Sequence, residues 1–99
     1  MNPDGRTSIY FDKAGRPISV YEWSRLFDDP VYRVVAKTKV GEPEVSTVWL
    51  GIDHGHGRAP HPILFETLVF PECKLMWRYA TEDEARVGHE QAVAGLRRG

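Results

Sequence analysis

The chain has 99 residues, 13 Lys+Arg against 14 Asp+Glu and one cysteine, for a net charge of −1. Those figures describe one domain long enough to bury a core of its own, and they exclude a disulfide-stapled scaffold, a cysteine-based zinc site and a strongly basic nucleic-acid binder. No apolar run approaches the ~20 residues of a spanning helix, so the expectation is a soluble protein of the reducing cytoplasm with no membrane partner.

Residues 1–7 carry Asn, Pro, Asp and Gly without periodicity and are expected to be a flexible leader, leaving residues 8–99 as a single domain. Ile9, Tyr10 and Phe11 have strand character, Asp12-Lys13-Ala14-Gly15 supplies turn chemistry, and Arg16-Pro17-Ile18 returns, which predicts a short N-terminal hairpin. Ser19 then opens a helix of about ten residues: Glu22 stands three residues on, as in a capping box, and Ile18 and Trp23 are spaced as a hydrophobic staple. Trp23, Leu26 and Phe27 form its apolar stripe, and Pro30 is expected to stop it.

Beyond Pro30 the period changes to two, predicting strands over residues 32–40, 45–52, 63–70 and 75–80. In the first, Tyr32, Val34, Ala36, Thr38 and Val40 share a face opposite Arg33, Lys37 and Lys39. In the second, Val48, Leu50 and Ile52 are expected to face the helices, turning Thr47 and Trp49 outward. The third is apolar except at Glu66 and Thr67, as expected of a strand covered on both sides, and in the fourth Leu75, Trp77 and Tyr79 oppose Met76 and Arg78. Short links favour an antiparallel meander. A second helix opens at Thr81 with Glu84 as its capping partner, carries Glu82, Asp83 and Glu84 in its first turn and Arg97-Arg98 at its end, and points Ala85, His89, Ala92, Val93 and Leu96 inward, with Gly88 beside them. The fold expected is α+β: a short N-terminal β-hairpin and helix, a four-stranded antiparallel β-meander, and a C-terminal helix packed on the sheet.

Candidate chemistry gathers in residues 53–61. His54 and His56 would share one side of an extended backbone, so a divalent metal held by Asp53, His54, His56 and His61 is one reading, and a solvated loop with incidental histidines is the other. His89 lies on the inner stripe of the last helix, where a buried imidazole must find partners: a backbone carbonyl or Glu66 in a structural role, His54 or Glu66 in a catalytic one. Glu66 itself should face solvent or pair with Arg33, Arg78 or a histidine. Cys73, in a tight turn with no base adjacent in sequence, is expected to be neutral, and no nucleophile elbow or phosphate loop is present. Trp49, Trp77 and Tyr79 are candidate partner-binding residues on an uncovered sheet face, unless a second layer of the same chain covers it.

The succession Trp49-Leu50-Gly51-Ile52-Asp53-His54, Phe65-Glu66-Thr67, Arg78-Tyr79-Ala80-Thr81-Glu82 and Gly88-His89 resembles a group of small uncharacterised proteins encoded by actinobacteria and their phages. The resemblance spans the chain from Ile9 onward and implies a phage or prophage setting, hence the host bacterial cytoplasm, with no assigned catalytic residues. It also implies variability after Asp53-His54, which makes His56 and His61 departures and favours His54, Glu66 and His89 as a set. The function expected is an accessory protein that binds another protein, or itself as a homodimer on the open sheet face, without a cofactor. The alternatives are a metal-dependent hydrolase or nuclease using residues 53–56, and a weak nucleic-acid binder through Arg33, Lys37 and Lys39.

Overall fold

The computed structural model describes residues 9–55, 57–58 and 60–99, so the expected leader lies outside the described residues. Phe11 pairs with Pro17 in a one-bridge hairpin whose turn is closed by Asp12, its Oδ1 accepting from the Ala14 and Arg16 amides at 2.9 Å each. The hairpin docks on the chain that follows β2: Tyr10 bridges Ile52, and the Phe11 amide donates to the Gly51 carbonyl at 2.9 Å.

Helix α1, Val20–Phe27, is capped by Ser19 Oγ, which accepts from the Glu22 amide at 3.1 Å. Glu22 does not complete the capping box; its carboxylate turns to Arg25 at 2.6 Å. Pro30 does more than stop this helix. It occupies the first turn of a second short helix, α2, Pro30–Arg33, capped by Asp29, so the first strand begins at Val34 and not at Tyr32. Proline suits that position because a first-turn N–H has no helical partner to lose.

Strands β1, Val34–Lys39, β2, Glu44–Trp49, β3, Phe65–Phe70, and β4, Lys74–Tyr79, form an antiparallel sheet in the order β1-β2-β3-β4, as the meander reading expects. Helix α3, Glu82–Arg97, covers one face. Its capping box is complete: Thr81 Oγ1 accepts from the Glu84 amide, and the Glu84 carboxylate accepts from the Thr81 amide.

The strand faces correct the expectation for each of the four strands; in β4, Leu75 lies with Leu68 away from α3 while Trp77 and Tyr79 keep the helix side. Across β2 it is Val45, Thr47 and Trp49 that point to α3, and Ser46 and Val48 that point away. In β1 an extra residue, Val35, bulges between Val34 and Ala36, so Ala36 and Thr38 keep the helix side while Val34 joins Val48 on the other. Strand β3 is covered on one side only: Phe65, Thr67 and Val69 are buried, while Glu66, Leu68 and Phe70 are half-exposed.

The sheet–helix interface has three layers. An aromatic cluster around Phe11, Leu26, Trp49, Phe65 and Ala85 sits at one end, and an aliphatic cluster of Val45, Val69 and Val93 at the other. Between them the register aligns Thr47 with Thr67, and α3 contributes His89, four residues from both Ala85 and Val93. Trp23, Phe27, Tyr32 and Trp49 stack or meet edge-on with centroids 4.9–6.5 Å apart, which welds α1 and α2 to the sheet.

Candidate interaction face

The loop from residue 53 is organised by Asp53, whose carboxylate accepts from three amides: Gly55 at 2.8 Å, Gly57 at 3.0 Å and Ile63 at 2.9 Å. An Asp so engaged closes a loop, because each charge-assisted bond satisfies a backbone donor there. His54 is half-buried with Nδ1 at 2.9 Å from the Ile52 carbonyl; since a carbonyl only accepts, Nδ1 carries the proton. His61 is exposed, and His56 lies outside the described residues. Among the described residues no three His, Cys, Asp or Glu side chains are grouped to hold a metal ion. The proposed metal set is therefore not assembled by Asp53, His54 and His61.

His54, Glu66 and His89 are not brought together either. Glu66 lies on the sheet face away from α3, where Arg78 donates to it at 3.4 Å, one of the pairings expected of it. His89 lies under α3, on the opposite side of the sheet, and is 1% exposed. Its Nε2 bonds Thr38 Oγ1 at 2.9 Å, its Nδ1 bonds Thr47 Oγ1 at 2.8 Å, and Thr47 continues to Thr67 at 2.6 Å. Neither a backbone carbonyl nor Glu66 is its partner. Burial disfavours the charged imidazole and holds its pKa below 6.5, against an upward push from Glu90 and with a smaller downward one from Arg86. A hydroxyl beside an imidazole is the pairing of a nucleophile with its base. Here both are sealed beneath the helix, so the pair serves to satisfy polar groups in a core.

Of the three candidate partner-binding aromatics, Trp49 is fully buried and belongs to the aromatic cluster. The reason is the phase of β2, which turns Trp49 inward and Val48 outward. Tyr79 is half-buried and lies so close to Gly88 that a Cβ there would meet its ring. Trp77 stands clear. It is aligned with Thr67 on the helix side of edge strand β4, and it borders an open groove of about 670 Å³ between β4 and α3. The groove is shared with Tyr79, Asp83, Glu84, Val87 and Gln91, and a second depression on the same edge strand is lined by Leu75, Met76, Trp77 and Arg78. Leu75, Met76, Trp77 and Val87 are 44%, 41%, 68% and 59% exposed. Leu75, Met76 and Val87 escape the sequence reading, although one signal was present: Val87 falls off the inner stripe of its helix.

Arg33 ends α2, where it donates to the Phe27 carbonyl at 3.2 Å and lies over the Phe27 ring. Lys37 and Lys39 of β1 are exposed on the sheet face away from α3, where Arg33 and Lys37 border a shallow depression with Glu44, Ser46 and Phe70. No helix among the described residues is long and apolar enough to cross a membrane. Compared with protein-family models, with curated proteins and with solved structures, the chain gives no significant match.

Proposed function

We propose that this chain acts by binding protein, with the β4–α3 face as its contact surface. The observation that carries the reading is the pair Trp77 and Val87, exposed in the groove between β4 and α3, with Leu75 and Met76 exposed beside Trp77 along the same edge strand. Contiguous apolar surface of this kind marks an interaction site, and an exposed Trp seated beside a groove is the residue type that dominates binding energy. An accessory role in a phage or prophage setting, in the host cytoplasm, is supported by the sequence resemblance. A metal-dependent hydrolase gains no support, because the described carboxylate and imidazole candidates are dispersed on both sides of the sheet and in the loop after β2.

Affinity capture with the tagged chain tests the reading. Proteins held by the wild type should be lost with Trp77→Asp or Val87→Asp and kept with Val31→Asp, a change at a residue that is 88% exposed elsewhere on the surface. Equal capture by all four would refute the assignment of this face.

A further inference from the structure

We infer that the occupant of the β4–α3 face is a second copy of this chain, joined by antiparallel pairing of two β4 strands about a two-fold axis; the inference rests on the protein-binding reading above. Strand β4 is an edge of the sheet, and among the described residues no strand pairs with its outer side. On either side of the Met76 bulge, an edge of this kind offers N–H and C=O groups to a further strand. The strand that best fits the groove must be extended, apolar and tipped with a cation, because the groove is lined by Trp77 and Val87 and rimmed by Asp83 and Glu84. Strand β4 meets that description itself: Leu75-Met76-Trp77 is bracketed by Lys74 and Arg78.

The geometry is self-complementary when the axis passes between Met76 and Trp77. Position 74 of one copy then faces position 79 of the other. Lys74 is aligned with Val69, on the helix side of the sheet. Each Lys74 is thereby delivered beside Tyr79 of the second copy, on the side where Asp83 and Glu84 stand. The two Trp77 rings come together at the axis, also on the helix side, each next to its own Val87. The same charges select against the wrong arrangement: a parallel in-register pairing would set Lys74 on Lys74 and Arg78 on Arg78, and like charges directly opposite are destabilising.

Sedimentation velocity on the purified chain over a range of concentrations tests this. The wild type is expected to show a monomer–dimer equilibrium. Lys74→Glu, which sets a carboxylate beside Asp83 and Glu84, should weaken dimerisation by about tenfold or more, and adding Asp83→Lys should restore it. Circular dichroism on each variant confirms that the fold is kept. A wild type that stays monomeric, or a Lys74→Glu chain that dimerises as tightly as wild type, would overturn the inference. A monomer that still captures a protein through Trp77 removes the second copy and leaves the protein-binding reading standing.

Discussion

His89 is placed by α3 between two apolar layers, and its surroundings dictate its protonation. Burial is the leading cause of its depressed pKa, so between the folded value and 6.5 the unfolded chain binds more protons than the folded one. Stability therefore rises with pH through that window: His89 contributes fully above about 6.5 and loses its contribution as pH falls below it. The thermal midpoint should be flat above that pH and decline beneath it. His89→Gln, which cannot titrate, should show a shallower decline, and scanning calorimetry of the two proteins across that pH range measures the difference. The same residue shows what a sequence reading can miss. Its place on the inner stripe was legible from helical spacing, but its partners Thr38 and Thr47 lie 51 and 42 residues away. Nothing local in the sequence ties them to it.

At the scale of elements, capping separates the two long helices. Thr81 and Glu84 bond reciprocally, whereas Ser19 acts without the Glu22 side chain, which is engaged by Arg25. Thr81→Ala is expected to cost about 1 kcal/mol, and Ser19→Ala less, both read from urea unfolding midpoints. The strands tell a different story, because alternation identifies two faces without saying which is inward. Val48 and Leu50 look like core residues and Thr47 like a surface one. The structure reverses this, since His89 on α3 requires polar partners, which Thr38 and Thr47 supply, with Thr67 bonded in turn to Thr47. Single-residue bulges at Val35 and Met76 add to the difficulty, each moving the residues beyond it to the other face. For β4 this separates Leu75, aligned with Leu68, from Trp77, aligned with Thr67.

Across the whole molecule, Gly51 is where the N-terminal arm, α1 and the sheet meet. Its φ is +75°, its carbonyl accepts from Phe11, and a Cβ on it would strike both the Trp23 and Trp49 rings. Gly51→Ala should therefore destabilise the fold by about 2 kcal/mol or more, as overpacking and left-handed strain combine. Because those rings link hairpin, helix and sheet, the loss should appear in one cooperative transition, with tryptophan fluorescence and far-ultraviolet circular dichroism giving the same urea midpoint. By itself the sequence determined the two longer helices with their cap residues Ser19 and Thr81, the antiparallel meander and the inner stripe of α3, since all of these follow from turn chemistry and spacing within a few residues; it missed α2 and the turn of Glu22 to Arg25. Only the tertiary structure decided which strand faces were buried, that Trp49 lies in the core, that His54, Glu66 and His89 stand apart, and that Trp77 lies exposed at an edge beside Val87. Those outcomes depend on which distant side chains share a layer and on where one extra residue shifts a strand. Both are settled by packing between elements, which a local pattern does not record.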